Sequence, residues 1–360
     1  MNRLLEVRKL GQQIWLDNLS RSLIQEGHLA RLVREDGVAG VTTNPAIFEK
    51  AIGGGQYYED DLASLKAQDL SAEQRYEALV IPDVQAACDV LRDTWLESKG
   101  EAGYVSLEVS PALAHDEDGT ISAAHRLREA VARDNLLIKV PATPAGVRAV
   151  ERLIAEGISV NVTLMFSLAH VEAVASAYCR GLEQRVEAGE PVEGIYSVAS
   201  VFLSRVDTLV DKQLDALCQT DALALRGLSA VAMARRAYQM YCERYDEDAQ
   251  FAALRERGAR PQYMLWASTG TKNPAYSDLL YVEPVMGPET INTVPDATLA
   301  ALIDHGRVAA RIDEDLDAAS AQYEALAGYG IDMTAVGEQL QAEGLSQFET
   351  AFAKLLAVTA

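Results

Sequence analysis

The chain has 360 residues, of which 49% are hydrophobic and 24% are charged, and its formal net charge is −21. This composition is typical of a globular protein with a sizeable core and excludes a disordered chain. The negative charge argues against nucleic acids and anionic membranes as partners, because both require a basic face.

The chain carries no recognisable targeting or metal motif. Residues Met1–Leu10 alternate apolar and charged side chains, unlike a signal peptide, and no stretch reaches the length of a transmembrane helix. We therefore expect a cytoplasmic protein. No CxxC pair occurs among the cysteines and the five histidines show no ligand spacing, so the sequence predicts neither a metal site nor a disulfide framework. The cysteines are Cys88, Cys179, Cys218 and Cys242.

Short strand-like segments alternate with helical segments along the chain. The eight predicted strands are Gln12–Asp17, Val38–Thr43, Tyr104–Val109, Asn135–Val140, Ser159–Thr163, Ile195–Phe202, Tyr263–Ala267 and Leu279–Glu283. The predicted helices are Ala72–Lys99, Ile121–Arg133, Pro144–Glu156, Ser167–Glu187 and Arg205–Leu217, and Leu228–Arg257 is expected to hold more than one.

This alternation predicts parallel strand pairing with right-handed crossovers, and eight units favour a closed (β/α)8 barrel, a TIM barrel of the α/β class. An open doubly wound sheet would need a glycine-rich phosphate loop after an early strand. The only glycine cluster, Gly53–Gly55, follows a helical stretch and is interpreted as a loop. We expect one barrel domain over residues 1–360.

Residues 296–360 are predicted to be helical and to pack on the barrel as an extension. Ser346 and Glu349 form a capping-box signature. The next apolar residues mark one helix face: Phe348, Phe352, Leu355 and Leu356. A contact between subunits is the alternative role for this segment, and the sequence leaves a monomer or a homodimer open.

Polar side chains point inward near the carboxyl ends of several predicted strands, since side chains alternate faces along a strand. That rim is where barrel enzymes carry their chemistry. For a single such residue a structural ion pair is the better explanation, but the whole set favours an active site. The set comprises Asp17, Asn44, Glu108, Lys139, Asn161, Thr163 and Ser200.

These residue types suit Schiff-base chemistry. Burial disfavours the charged form of a lysine, and the neutral amine of Lys139 can attack a ketone to form an imine. The protonated imine is an electron sink that makes a neighbouring C–C bond cleavable. Asp17 or Glu108 can take the hydroxyl proton, and Glu108 with Thr163 can hold the water that the imine steps need. The amides in the set suit a polyol's hydroxyl groups.

Three segments together resemble the transaldolase family: Thr42–Pro45, Leu137–Pro141, and Gly157–Leu164 followed by Phe166–Ser167. Transaldolases are class I aldolases with a (β/α)8 barrel and no cofactor. The resemblance covers about Trp15 to Pro284, and the chain length is similar to a longer bacterial subgroup.

The resemblance implies a role for each member of the set. Lys139 matches the Schiff-base lysine, and Asp17 matches the base that takes the C4 hydroxyl proton during C3–C4 cleavage. Glu108 and Thr163 match the pair that holds the catalytic water. The implied substrate-binding residues are Asn44 and Asn161 for the dihydroxyacetone unit, Ser200 for a further substrate contact, Phe202 as an aromatic lining and Arg205 for the phosphate.

The phosphate site departs from the family pattern at one position. Many transaldolases carry a second phosphate-binding arginine after the seventh strand, where this chain has Lys272 nearby. A lysine binds phosphate as a point charge without a bidentate fork. Alternatively, Lys272 is a solvated loop residue, and Arg205 starts a helix and pairs with Asp207 or Asp211 on the surface.

The implied reaction transfers a dihydroxyacetone unit reversibly from sedoheptulose 7-phosphate to glyceraldehyde 3-phosphate, giving erythrose 4-phosphate and fructose 6-phosphate. One alternative is a fructose-6-phosphate aldolase that releases free dihydroxyacetone. Another is a non-catalytic barrel that binds sugar phosphates. The second is disfavoured because such a barrel has no physical need to bury Lys139, Asp17 and Glu108 together.

Overall fold

In a computed structural model that describes residues 2–360, eight parallel strands close into a barrel. Strands adjacent in sequence pair with each other, and β1 pairs with β8. The strands are β1 Gln12–Leu16, β2 Gly40–Thr42, β3 Tyr104–Glu108, β4 Leu136–Pro141, β5 Val160–Met165, β6 Ser197–Phe202, β7 Tyr263–Ala267 and β8 Thr290–Val294. The predicted TIM barrel with additional C-terminal helices is confirmed.

Helices follow the strands and cover the outside of the barrel. In chain order they are α1 Arg3–Lys9, α2 Arg21–Gln25, α3 His28–Arg31, α4 Pro45–Gly53, α5 Glu59–Lys66, α6 Ala72–Val90, α7 Arg92–Glu97, α8 Glu117–Val131, α9 Pro144–Ala155, α10 Leu168–Glu187, α11 Ser204–Leu217, α12 Thr220–Leu223, α13 Ser229–Cys242, α14 Ala249–Arg255, α15 Asp296–His305, α16 Leu316–Gly328 and α17 Met333–Thr359. Between residues 2 and 360, no helix is both long and apolar enough to cross a membrane.

The helix α9 illustrates how local sequence fixes these elements. Thr143 caps its first turn by accepting a hydrogen bond from Gly146 N, and Pro144 takes the first helical position, where a missing N–H costs nothing. Val150 and Leu153 are fully buried on the face toward the barrel. Burial of this apolar stripe stabilises the helix in place.

The predicted eighth strand was wrong. Leu279–Glu283 forms a turn, in which Val282 N donates to Leu279 O at 3.0 Å, and a 3-10 helix follows at Glu283–Val285. The strand is instead β8, which pairs with β1 along its whole length. The sequence of β8 does not show the apolar pattern of a buried strand, because two of its buried residues, Thr290 and Asn292, are polar. Asn292 Nδ2 donates to Tyr281 O at 3.0 Å.

Two helix predictions were also wrong in detail. The stretch Ala72–Lys99 is not one helix, because it breaks at Leu91 into α6 and α7. Ser346 does not cap a helix, because it lies inside α17, whose cap is Asp332. The predicted apolar face is confirmed, since Phe348, Phe352 and Leu355 are buried and Leu356 packs against the core.

Large side chains fill the barrel, and α17 lies across its carboxyl end. Trp15 is fully buried, and a Cβ at Gly40 would lie 2.5 Å from its ring, so β2 requires glycine there. The α17 residue Gln341 donates from Nε2 to Ala142 O at 2.9 Å and to Leu164 O at 3.0 Å. These bonds attach α17 to the backbone just beyond β4 and at the end of β5.

Candidate active site

One cavity of about 290 Å³ opens at the carboxyl end of the barrel. All but two of the predicted site residues line it: Asp17, Asn44, Lys139, Thr163, Ser200, Phe202, Arg205 and Lys272. The remaining two do not line the cavity but contact residues that do: Glu108 lies beside Lys139, and Asn161 accepts a hydrogen bond from Ser200. The barrel therefore brings the predicted residues together from seven strands and the segments that follow them.

Lys139 lies on β4 and is 5% exposed. Its Nζ donates to Thr43 O at 2.9 Å, and it lies 3.6 Å from Glu108 Oε2. The ring centroid of Phe348, from α17, is 5.8 Å from Nζ. The amine is thus held between one carbonyl, one carboxyl and one aromatic face, and these contacts orient Nζ at the cavity wall.

Glu108 ends β3 beside Lys139. Burial raises the pKa of the Glu108 carboxyl from its ordinary value of 4.5 to about 7, although the neighbouring Lys139 lowers it. Its Oε2 is buried and makes no hydrogen bond within residues 2–360. A carboxyl with a pKa near neutrality can both take and give a proton at physiological pH.

Asp17 follows β1 and faces the cavity. Its Oδ1 accepts a hydrogen bond from Thr42 Oγ1 at 2.8 Å. Burial raises the pKa of Asp17, while Lys139 and the Thr42 hydrogen bond oppose the shift. The carboxylate is thereby oriented, and its raised basicity suits proton abstraction.

The segment Thr42–Pro45 positions several of these groups through its backbone. Thr43 supplies the carbonyl that holds Lys139, and its Oγ1 donates to Ser106 O at 2.7 Å. Asn44 caps α4, with Oδ1 accepting from Ala46 N and Ile47 N, each at 3.1 Å. Because Oδ1 is engaged in the cap, the Nδ2 donors of Asn44 remain for a ligand.

A hydrogen-bonded row crosses the barrel beneath the cavity. Ser200 Oγ donates to Asn161 Oδ1 at 2.6 Å, and Asn161 Nδ2 donates to Ser106 Oγ at 3.0 Å. Thr163, two residues further along β5, is fully buried, and its Oγ1 has no partner in the part of the chain that the structure describes. This hydroxyl is available to bind water or substrate.

Arg205 and Lys272 contribute positive charge to the same cavity from the segments that follow the neighbouring strands β6 and β7. Arg205 Cζ lies 5.8 Å from the ring centroid of Phe202, and burial lowers the pKa of its guanidinium. Its Nη1 is buried without a partner among the described residues. The alternative surface pairing of Arg205 is wrong, because the nearby carboxylates Asp207 and Asp211 accept hydrogen bonds from Tyr281 and Tyr276.

The structure adds residues that the sequence interpretation did not single out. Thr42 belongs to the segment Thr42–Pro45, but its contact with Asp17 could not be predicted from that segment alone, because it requires β1 and β2 to be neighbours. Gln347 and Phe348 of α17 also line the cavity, and no local signal indicated this, because α17 reaches the site from the far end of the chain.

No cluster of three or more potential metal-binding side chains occurs within residues 2–360. A second hollow of about 710 Å³ adjoins the cavity, and Asp17, Asn44, Ala46 and Pro295 line both.

Comparisons with known proteins agree with this geometry. The family model described as Transaldolase/Fructose-6-phosphate aldolase matches residues 14–359. A transaldolase of Thiobacillus denitrificans is 54% identical over 357 residues, which cover 99% of each chain. Proteins of the same name from Neisseria gonorrhoeae and Mycobacterium ulcerans are 51% and 46% identical, covering 99% and 97% of this chain and 99% and 94% of their own. The chain therefore belongs to the transaldolase/fructose-6-phosphate aldolase family.

Proposed function

We propose that this chain is a transaldolase that moves a dihydroxyacetone unit from sedoheptulose 7-phosphate to glyceraldehyde 3-phosphate through an imine on Lys139. The observation that carries the proposal is the buried Lys139 amine, which faces a cavity with Asp17 and lies 3.6 Å from Glu108. Full-length similarity to proteins named transaldolase supports it. We propose that it acts in the cytoplasm.

The reaction begins when the Lys139 amine attacks the C2 carbonyl of the donor and water leaves, giving a protonated imine. Glu108 can donate the proton that the departing oxygen requires, because its pKa of about 7 keeps a protonated fraction at neutral pH. Thr163 Oγ1, which has no partner within the described chain, can hold the same water. When the imine is hydrolysed at the end of the reaction, Glu108 and Thr163 would deliver a water to it.

Cleavage follows when Asp17 takes the proton of the C4 hydroxyl. The C3–C4 bond breaks, its electrons form an enamine with the imine, and erythrose 4-phosphate leaves as an aldehyde. The enamine carbon then attacks the carbonyl of glyceraldehyde 3-phosphate, and Asp17 returns its proton to the new C4 hydroxyl. Hydrolysis of the imine releases fructose 6-phosphate and restores Lys139.

The remaining residues bind the substrate along the cavity. We assign the hydroxyls of the dihydroxyacetone unit to Asn44, Asn161 and Ser200, and the phosphate to Arg205 and Lys272. Arg205 Nη1 is buried and has no partner among residues 2–360, which supports the phosphate assignment, since such a cation gains most from an anion.

An aldolase that releases free dihydroxyacetone uses the same imine and differs only in the group that captures the enamine. The rings of Phe202 and Phe348 line the cavity. The full-length relatives named transaldolase support transfer to an aldehyde as the fate of the enamine.

The test is to incubate the protein with fructose 6-phosphate, with and without erythrose 4-phosphate, and to quantify products by mass spectrometry. We expect sedoheptulose 7-phosphate to form only with the acceptor, with little free dihydroxyacetone. Dihydroxyacetone release at an equal rate in both reactions would identify an aldolase. Absence of both products from folded protein would contradict both assignments.

A further inference from the structure

The segment 268–289 between β7 and β8 carries Lys272 to the cavity. Lys272 itself is exposed and extends from a local turn, in which Thr271 Oγ1 donates to Ser277 O at 2.8 Å and Tyr276 N donates to Asn273 O at 3.1 Å. This turn has few apolar side chains to bury. Its position over the site therefore depends on polar contacts with the elements beneath it.

Tyr276, four residues after Lys272, makes the first of these contacts with α11. Its hydroxyl donates to Asp211 Oδ2 at 2.6 Å, and Asp211 Oδ1 accepts from Gly227 N at 2.9 Å. Gly227 has a φ of +69°, and a Cβ there would lie 2.8 Å from Tyr276 Cζ. Only glycine allows this backbone conformation and this approach of the ring together.

Tyr281 makes a second contact of the same kind one helical turn away on α11. Its hydroxyl donates to Asp207 Oδ2 at 2.9 Å, and Asp207 Oδ1 accepts from Ala230 N at 2.8 Å. Tyr281 and Asp207 are both buried. Each carboxyl therefore joins the β7–β8 segment to the chain around residues 227–230.

The helix that supplies both carboxyls also supplies Arg205, from its first turn. Arg205 lines the cavity, while Asp207 and Asp211 bind the tyrosines of the segment that carries Lys272. One helix thereby fixes both cations relative to each other. At the base of the segment, Ser204 N also donates to Ser268 O at 3.0 Å.

We propose that Asp207 and Asp211 are positioning residues for phosphate binding, which act through Tyr281 and Tyr276 to hold Lys272 over the same cavity as Arg205. This inference rests on the proposed function for the identity of the phosphorylated substrate. A lysine offers phosphate a point charge on a flexible side chain, whereas an arginine binds it through two parallel hydrogen bonds. The phosphate affinity of a lysine therefore depends more strongly on a fixed loop.

The test uses Tyr276→Phe, which removes one hydroxyl from a half-buried ring, and Asp211→Asn as a second variant. The matched control is Tyr263→Phe. Tyr263 OH donates to Glu101 Oε2 at 3.0 Å, in a tyrosine–carboxylate bond at the other end of β7. For each protein, kcat and KM are measured with sedoheptulose 7-phosphate as donor and either glyceraldehyde 3-phosphate or unphosphorylated glyceraldehyde as acceptor.

We expect Tyr276→Phe to raise KM for glyceraldehyde 3-phosphate about tenfold, with kcat and the KM for glyceraldehyde changed less than about twofold. In a Lys272→Ala background the same substitution should have no further effect, because its contribution passes through Lys272. The control should match the wild type. An unchanged KM for the phosphorylated acceptor, or independent effects of the two substitutions, would overturn the inference.

Binding of inorganic phosphate, measured by calorimetry, separates this inference from the proposed function. A wild-type protein without transaldolase turnover would contradict the function, yet its affinity for phosphate can still be compared among variants. Weaker phosphate binding by Tyr276→Phe than by Tyr263→Phe supports the positioning role. Equal affinity in the two variants contradicts it.

Discussion

The two ends of the barrel differ in how their charged side chains are paired. At the amino end, Glu101 accepts a hydrogen bond from Tyr263 OH at 3.0 Å and lies 3.5 Å from Arg260 Nε. The rings of Tyr104 and Tyr196 stack nearby, with centroids 4.4 Å apart. Charge at this end is paired, and aromatic packing closes the barrel.

At the carboxyl end, charged groups remain incompletely paired. Within the described chain, Glu108 Oε2 and Arg205 Nη1 are buried without hydrogen-bond partners. Among the described residues, neutral atoms without partners occur at both ends, such as Gln12 Oε1, and Arg235 Nε on the outer helix α13 also lacks one, so the contrast concerns the charged groups at the two ends of the barrel. An unpaired buried polar group costs about 1–3 kcal/mol. The same barrel satisfies charge at one end and leaves it available at the other, which is what binding a charged substrate requires.

The largest expected effect comes from removing the Lys139 amine. Lys139→Met should lower kcat by about 10⁴-fold or more, because it removes the buried amine to which the imine is assigned. Steady-state transaldolase assays measure this, with thermal melting to establish folding. Lys212→Met is the matched control, since Lys212 is an exposed lysine on α11. Substantial activity in Lys139→Met would contradict the assignment.

Asp17→Asn should lower kcat by about 10²–10³-fold while leaving imine formation intact. The substitution preserves the shape of the side chain but removes the base for the C4 hydroxyl. Borohydride treatment with fructose 6-phosphate should therefore trap mainly the intact six-carbon sugar on the variant. Trapping of a three-carbon fragment at the wild-type rate would show that Asp17 is not this base.

Glu108→Gln tests the electrostatics of the carboxyl end through stability. Burial raises the pKa of Glu108 from 4.5 to about 7, so the folded state retains a proton that the unfolded state has lost between these values. The stabilisation that the protonated Glu108 gives the folded state is fully present below a pH of about 4.5, and it is lost as the pH rises through about 7. Glutamine cannot ionise, so the variant should lack this decline.

The difference in the free energy of unfolding between the two proteins should change by on the order of 3 kcal/mol between pH 4.5 and pH 8. Urea unfolding at a series of pH values measures it. The comparison isolates Glu108 from Asp17 and Asp207, whose pKa values burial also raises. Parallel stability curves for variant and wild type would contradict the assigned shift.

The smallest effect is expected at the amino end. Glu101→Gln should leave kcat and KM within about twofold of the wild type and should lower stability by about 1 kcal/mol or less, because its side chain is 44% exposed and its pairing with Arg260 is screened by solvent. Activity assays and urea unfolding measure both. A large loss of activity would show that the two ends are coupled.

Most of the fold and the site could be predicted because their signals are local. Lys139 stands in an apolar strand, and Thr42–Pro45 follows another, so strand alternation placed both at one rim. The strand β8 could not be found this way. Its buried Thr290 and Asn292 are stabilised by hydrogen bonds with distant residues such as Gln12 and Tyr281.

The contribution of α17 was also beyond a local pattern. Phe348 was predicted to be buried, which it is, but its position 5.8 Å from Lys139 depends on how α17 crosses the barrel. The pairing of Tyr276 with Asp211 joins residues far apart in sequence in the same way. Such contacts follow from tertiary packing rather than from local sequence patterns.

The most direct test of the account is to trap the intermediate. The wild-type protein is incubated with fructose 6-phosphate and borohydride, and its intact mass and peptide map are measured. We predict a reduced three-carbon adduct on Lys139, and none on the Lys139→Met variant. An adduct on another lysine, or no adduct on folded protein, would contradict the claim that Lys139 forms the Schiff base.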